Sequence, residues 1–330
     1  MSIFFRIFFV FIFAILPLNV EANSELESVL PKIKGGEDAD IADWPWNIAL
    51  LNANVRDPYR AHFCGGTFIS PQWIITAAHC LVDMSGTLKR APEDMLVLTG
   101  RSNLRDEAGQ MIPVKKQVLH PGYDPYNYDS DLALLYIEYP PDVATDWGYI
   151  PIIESGDPLS RALPGNTAWI TGWGALDGDR TYPLDLQKAS TPLVNQEDLV
   201  KAYIGVNEVT DNMIGAGPGD GSVDTCHGDS GGPLVVYDRG KFVLVGVTSW
   251  GLECGTPDVY GVYVRLSNYC DWIVEVTGID DCIHADSSSS GGGCTVASTQ
   301  KAGFEWVIML SLIVLFKCRR MLTALRITRF

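Results

Sequence analysis

The sequence predicts an all-β fold, and two observations support this prediction. Short alternating runs at residues 67–70, 73–76 and 243–247 have the period of strands with one buried face. Gly, Pro, Asn and Asp residues separate such runs and supply the turns. With 330 residues and 47% hydrophobic content, the chain is long enough to bury a sizeable core in one or two domains.

The first element along the chain is a signal peptide at residues 1–22. Arg6 is the only early charge, residues 8–16 form an apolar run, and Val20-Glu21-Ala22 offers small residues for cleavage after Ala22. The apolar run is too short to favour a membrane span. Export favours disulfides over metal ligation for the eight cysteines, and no His and Cys cluster has zinc spacing.

The charge balance limits the class of partner. The formal net charge is −16, from 24 basic and 40 acidic residues, which argues against nucleic acid. Such acidity is compatible with cationic substrates and also with simple solubility. We expect neither a cofactor nor a metal ion.

Three motifs carry the chemistry: Ala77-Ala78-His79-Cys80, then residues 129–135 with Asp131, then Gly228-Asp229-Ser230-Gly231-Gly232-Pro233. A serine hydroxyl needs an imidazole to take its proton, and a buried carboxylate to fix the imidazole tautomer and stabilise the imidazolium. The glycines let the backbone turn sharply. The N–H groups of Gly228 and Ser230 can then converge on an oxyanion.

In this order the motifs resemble the chymotrypsin/trypsin family of serine endopeptidases. The resemblance runs from about Ile33 to Val276, and further family motifs stand in family order: Trp44-Pro45-Trp46, Cys64-Gly65-Gly66, Thr171-Gly172-Trp173-Gly174 and Ser249-Trp250-Gly251. It implies two antiparallel six-stranded β-barrels with the active site between them, closed by a C-terminal helix, in a protease domain at residues 33–282. It also implies that His79, Asp131 and Ser230 are catalytic.

The resemblance assigns a substrate pocket as well. Asp224, six residues before Ser230, takes the place of the carboxylate that pairs with Lys or Arg of the substrate in trypsin-like members. The remaining residues expected to bind substrate are Tyr128, Ser249, Trp250, Gly251 and Gly261. Tyr260 resembles the sodium-responsive members but is equally compatible with aromatic packing, and Arg101 at the calcium-loop position predicts no calcium there.

Activation is expected at the bond after Lys32, which would release residues 23–32 as a propeptide. The resemblance implies that the new ammonium of Ile33 then pairs with Asp229, a buried ion pair that selects one conformation. Lys34 stands where the family usually has Val. We expect its stem to lie along the surface with the ammonium in water.

Four cysteines fall where the family pairs them, as Cys64 with Cys80 and Cys226 with Cys254. Two further family bridges are absent, each as a pair, with Leu199 and Gly215 in place of one and Ala168 and Val236 in place of the other. Cys270, Cys282, Cys294 and Cys318 remain. We favour Cys270 with Cys282, although sequence alone does not determine the connectivity.

The C-terminal helix should begin near Ser267 and stop before Gly278, with Trp272, Ile273 and Val276 on its apolar face. Beyond it, residues 283–303 form a Ser- and Gly-rich linker. Residues 304–316 are a candidate membrane anchor, and the basic tail at 317–330 resembles a stop-transfer signal. The apolar run is shorter than a usual span, so a lipid anchor and release as a secreted protein remain open.

We therefore predict a secreted or cell-surface serine endopeptidase, made as a zymogen in the secretory pathway and cutting after Arg or Lys. Its partners would be protein and peptide substrates and protein inhibitors, with membrane attachment through the C-terminus. Two other classes remain open: a catalytically weak family member that acts as a binding protein, and a structural cell-surface module. The intact triad disfavours both.

Overall fold

The computed structural model describes residues 33–139, 148–153, 162–178 and 180–279, and the backbone of residues 282 and 283. Within them the helices are α1 (Pro58–Ala61), α2 (Gln196–Ala202) and α3 (Cys270–Thr277). The strands are β1 (Glu37–Asp38), β2 (Asn47–Asn52), β3 (His62–Phe68), β4 (Trp73–Thr76), β5 (Met95–Thr99), β6 (Gln110–Leu119), β7 (Ala133–Ile137), β8 (Ile152–Ile153), β9 (Thr167–Gly172), β10 (Gln187–Val194), β11 (Met213–Ala216), β12 (Pro233–Asp238), β13 (Lys241–Trp250), β14 (Gly261–Arg265) and β15 (Cys282–Ile283).

Most strands belong to two closed antiparallel barrels of six strands each. The first barrel runs in the order β2-β3-β4-β7-β6-β5. The second runs in the order β12-β9-β10-β11-β14-β13 and closes because β12 also pairs with β13. Alternation is clearest on β10, where every second residue from Gln187 to Leu193 is buried. The predicted all-β fold of two six-stranded barrels is confirmed.

The helix after the second barrel also agrees with the sequence prediction. A 3₁₀ turn at Leu266–Asn268 precedes α3, and Gly278 ends the helix in the left-handed conformation, with φ of 70°. Ile273 is buried, and Trp272 and Val276 pack against the core. The helix therefore uses its apolar face to cover the barrels.

Aromatic side chains join the two barrels. The Trp44 ring centroid lies 5.9 Å from that of Trp46, 6.0 Å from that of Trp169 on β9 and 4.9 Å from that of Phe242 on β13. Aromatic pairs at such distances add to the stabilisation from area burial. The Trp44-Pro45-Trp46 motif, which precedes β2 of the first barrel, thus packs against β9 and β13 of the second barrel. This packing helps to set the positions of the two barrels on either side of the cleft.

The sites of the two absent bridges contain packed apolar groups. A Cβ at Gly215 would lie 2.7 Å from Leu199 Cδ1, and Ala168 pairs with Val236 across β9 and β12. The two residues that replace each absent bridge are therefore neighbours in the fold, with apolar packing in place of a disulfide. Among the described residues, no helix is both long and apolar enough to span a bilayer. The predicted signal peptide, propeptide, anchor and basic tail, and most of the linker and the end of the protease domain, lie outside those residues.

Candidate active site

The three residues of the predicted triad come from both barrels. His79 lies in a 3₁₀ turn, Ala78–Cys80, that follows β4. Asp131 lies two residues before β7, also in the first barrel. Ser230 lies in the loop before β12 of the second barrel. The barrel interface therefore brings together residues that are far apart in sequence.

Asp131 holds the imidazole of His79 in one orientation. Its carboxylate is fully buried, and Oδ2 lies 2.7 Å from His79 Nδ1 while Oδ1 accepts from the His79 backbone N–H at 2.8 Å. The hydroxyl of Ser249 donates to Oδ2 at 2.5 Å. A proton on Nδ1 satisfies this carboxylate, so Nε2 is left as the basic nitrogen. The role of Ser249 as a donor to Asp131 was not predicted.

The loop at Ser230 needs glycine at two positions. Gly228 has φ of 97° and Gly231 has φ of 81°. A Cβ at Gly231 would lie 2.2 Å from Thr76 Oγ1, which no side chain tolerates. The loop is held against the first barrel because Gly65 N–H donates to the Ser230 carbonyl at 2.8 Å.

Two backbone donors in this loop are unoccupied. Among the hydrogen bonds of the described residues, the N–H groups of Gly228 and Ser230 donate none. Ser230 and His79 line the same cavity, and no direct hydrogen bond joins their hydroxyl and imidazole in this part of the chain. Such contacts are often long in proteins without substrate.

Both disulfides that the family resemblance implied are present. Cys64 is bonded to Cys80, beside His79, and Cys226 is bonded to Cys254. Cys270 is also disulfide-bonded. The side chain of Cys282 lies outside the described residues, so its pairing with Cys270 stays a prediction.

The predicted pocket residues line one cavity of about 170 Å³ together with His79 and Ser230: Tyr128, Asp224, Ser249, Trp250, Gly251 and Gly261. Burial raises the pKa of Asp224 to about 6, although N–H groups of Gly255 and Thr225 and the charge of Lys34 act in the opposite direction. Gly255 N–H donates to Asp224 Oδ2 at 2.8 Å. A Cβ at Gly261 would lie 3.2 Å from Asp224 Oδ1, so this glycine keeps the carboxylate accessible.

Aromatic rings form the wall of the cavity near His79. The rings of Tyr128 and Trp250 stack at 6.4 Å, and the Tyr128 ring meets the His79 ring edge-on at 5.9 Å. Tyr203 packs against Trp250 at 4.7 Å and donates to the Tyr260 carbonyl. Sequence reasoning missed Tyr203, because nothing in its local sequence indicates this contact.

Comparison with known proteins agrees with the geometry. The sequence matches the trypsin family over residues 33–273. The chain belongs to the trypsin family. It is similar to transmembrane protease serine 11C of Mus musculus, with 35% identity over 251 residues, which is 75% of this chain and 54% of that protein. The chain therefore spans about half the length of this relative.

The two residues predicted to pair on activation of this trypsin-family chain, Ile33 and Asp229, lie in its interior. Ile33 and Asp229 are both buried, and Asp229 accepts from Gly174 N–H at 2.8 Å and from Cys226 N–H at 3.0 Å. Burial raises the pKa of Asp229 to about 7. A Cβ at Gly174 would lie 2.3 Å from the carboxylate, so this motif glycine is needed for the close approach. Lys32 lies outside the described residues, and pairing of Ile33 with Asp229 stays a prediction.

Lys34 departs from the expectation that its ammonium lies in water. Its Nζ donates to the Gly255 carbonyl at 2.8 Å, next to the disulfide cysteine Cys254. The same Gly255 donates its N–H to Asp224. Lys34 and the carboxylate of Asp224 are therefore linked through Gly255.

Two positions bear on metal ions. Arg101 is buried, and its guanidinium donates to the Asp106 carbonyl in the loop where calcium-binding relatives have a ligand. A cation there is unfavourable for Ca²⁺, so the absence of calcium stays a prediction. In the described part of the chain, the His and Cys group closest to metal-ligand geometry is Cys64, His79 and Cys80, where both sulfurs are already in a disulfide.

Proposed function

We propose that this chain is a serine endopeptidase, made as a zymogen, that hydrolyses peptide bonds after Arg or Lys through an acyl-enzyme intermediate. The observation that carries the proposal is the single cavity in which His79, Ser230 and Asp224 meet. A nucleophile, its base and a cation-binding carboxylate are then within reach of one bound peptide.

The chemistry follows from the positions of four groups. Ser230 Oγ attacks the scissile carbonyl carbon while His79 Nε2 takes the hydroxyl proton. Asp131, buried and held by three hydrogen bonds, stabilises the imidazolium that forms. The unoccupied N–H groups of Gly228 and Ser230 are suited to the oxyanion.

Collapse of the tetrahedral intermediate breaks the C–N bond. His79 gives its proton to the leaving amine, and an ester of Ser230 with the acyl part of the substrate remains. Water then attacks this ester with His79 again as base. The second collapse returns the proton to Ser230 Oγ and releases the new carboxylic acid.

Specificity for Arg and Lys is supported by the pocket's charge. Asp224 is the one acidic residue among the described residues that line this cavity, and no described Lys or Arg lines it. A cationic side chain entering the cavity would be paired, whereas an apolar one would leave Asp224 without a partner. We therefore assign Asp224 to recognition of the residue before the scissile bond.

The test uses the activated enzyme and a fluorophosphonate that reacts with activated serines. Ser230→Ala should lose both peptide hydrolysis and labelling, because it removes the hydroxyl that His79 would activate. Ser85→Ala, at an exposed loop serine, is the matched control and should keep both. Full labelling of Ser230→Ala would contradict the assignment and favour a role in binding alone.

The domain organisation and location belong to the same proposal. Residues 1–22 would be removed on export, residues 23–32 on activation, and residues 304–316 would hold the protease at the cell surface. The similarity to a mouse protein named as a transmembrane protease supports membrane attachment. Protein substrates, and protein inhibitors that occupy the same cleft, are the partners we infer.

A further inference from the structure

A second cavity meets the first at His79 and Ser230. Its volume is about 300 Å³, and it extends along the Cys64–Cys80 disulfide and past Gly228. It does not include Asp224. Since the peptide before the scissile bond is directed toward Asp224, this cavity lies where the residues after the scissile bond would leave the catalytic centre.

Basic side chains line this second cavity. Lys89, Arg90 and Arg180 all contribute to its wall, and none of the described residues lining it is Asp or Glu. The chain as a whole has 40 acidic and only 24 basic residues. The cavity beside the catalytic serine is therefore lined by positive charge, although the chain as a whole is acidic.

Two of these cations are held in place by the backbone that carries His79. Lys89 Nζ donates to the His79 carbonyl at 2.9 Å, and Arg90 Nη1 donates to the Cys80 carbonyl at 3.1 Å. The Arg90 guanidinium also lies 3.8 Å from the ring centroid of Phe63, a cation–π distance. Their positions are set without any bound peptide, so a ligand need not organise them.

Neither Lys89 nor Arg90 has an ion pair among the described residues. Partial burial lowers the pKa of both groups, although Lys89 is exposed, and the more distant carboxylates of Asp83, Asp131 and Asp94 act in the opposite direction. No described carboxylate is in contact with either cation, so an incoming carboxylate would supply a direct ion pair that both lack. Arg recognises a carboxylate particularly well because its planar donors match the two oxygens.

We propose that this cavity binds the residues that follow the scissile bond and selects an acidic side chain, Asp or Glu, at the first or second of these positions. The inference rests on the proposed function. The two sides of the cleft then carry opposite charges. Asp224 binds a cationic side chain before the scissile bond, and the basic residues of the second cavity bind a carboxylate after it.

The proposal has a consequence for the chain's own activation. Cleavage after Lys32 would place Ile33 and then Lys34 in the second cavity. Lys34 would meet Lys89 and Arg90 there, and like charges repel. Self-activation should therefore be slow even though Lys32 fits the pocket of Asp224. A different protease is the better activator on this reasoning.

The experiment uses activated enzyme and peptides that contain one Arg, and mass spectrometry of the products measures the initial rate of cleavage after that Arg alone, so that a cut after an added Lys is not counted. Two series differ only at the first or the second residue after Arg, which is Glu, Gln or Lys. In at least one series we expect kcat/KM to fall in the order Glu, Gln, Lys, with about tenfold between Glu and Lys, and to converge at high salt because exposed charges are screened. Ratios within one enzyme cancel any general loss of activity.

The variant Lys89→Gln/Arg90→Gln should lower the ratio of Glu to Lys peptides several-fold, with Arg180 left as the one cation among the described residues that line the cavity. Lys201→Gln/Arg239→Gln removes the same two charges from exposed positions outside the cavity and should keep the wild-type ratio. Equal rates for Glu and Lys peptides in the wild type would overturn the inference, and so would a preference that is undiminished in the first variant. Failure to cleave any Arg or Lys peptide would instead overturn the proposed function.

Discussion

Lowering the pH from 8 to 5 should selectively impair recognition of a cationic substrate, because Asp224 must be ionised to pair with it. Burial raises the pKa of Asp224 to about 6. A group with this pKa is about 99% ionised at pH 8 and about 9% ionised at pH 5. The fraction of enzyme with ionised Asp224 therefore falls about tenfold. This corresponds to a loss of about 1.4 kcal/mol in transition-state stabilisation for a cationic substrate.

The assay compares two peptides that differ in one residue before the scissile bond, Arg in one and citrulline in the other. Citrulline has nearly the shape of Arg but no charge, so it does not require ionised Asp224. Any effect of pH on the chemical step is common to both substrates and cancels in their ratio. The ratio of the two kcat/KM values should fall about tenfold from pH 8 to pH 5, with its midpoint near the pKa of the free enzyme.

Asp224→Asn supplies the matched control. It keeps the size of the side chain and an acceptor for Gly255 N–H, but it cannot ionise. The ratio should be low in this variant and independent of pH. A constant ratio in the wild type between pH 5 and pH 8 would refute the argument, because Asp224 would then either be ionised throughout or lie outside the recognition site.

Three further outcomes are expected. Lys32→Gln should block activation, and N-terminal analysis of active enzyme should find Ile33; activity in a chain that keeps residues 23–32 would contradict this. Ser249→Ala removes one of the three hydrogen-bond donors to Asp131. Because hydrogen bonds to charged groups contribute about 1.5–3 kcal/mol, kcat/KM on Arg peptides should fall about tenfold to a hundredfold. An unchanged kcat/KM would argue against a role of Ser249 in holding Asp131. The full chain should resist carbonate extraction from membranes, while a chain ending at Ser290 should be found in the medium; both forms in the medium would defeat the anchor hypothesis.

The all-β class was predictable because the alternation of apolar and polar residues in a strand is a local feature of the sequence. The run at 73–76 coincides with β4, and the run at 243–247 lies within β13, since a period of two is enough to indicate a half-buried strand. The two-barrel arrangement and the roles expected of His79, Asp131 and Ser230 were implied by the family resemblance, which rests on the order of the motifs. Each motif includes residues, such as Gly231, whose identity is dictated by close backbone contacts.

The contacts that tune the pocket could not be predicted in the same way. Lys34 reaches the Gly255 carbonyl across 221 residues of sequence, and Gly255 reaches Asp224 across 31. Neither contact depends on a side chain at position 255, so no residue type there indicates it. The basic wall formed by Lys89, Arg90 and Arg180 is likewise assembled from separate loops. These features arise only when the folded chain brings distant residues together, so no local sequence pattern predicts them.

Asp229 shows how such packing could make an activation switch. Its folded-state pKa of about 7 is above the ordinary value of 3.8, so the folded chain binds this proton more tightly than the unfolded chain. The contribution of Asp229 to the stability of the uncleaved chain should therefore be greatest below about pH 4 and should fall by up to about 4 kcal/mol as the pH rises toward 7. On our proposal, the ammonium created at Ile33 offsets this loss by pairing with the carboxylate. At neutral pH, cleavage would thus favour the ionised state that the N–H groups of Gly174 and Cys226 already surround.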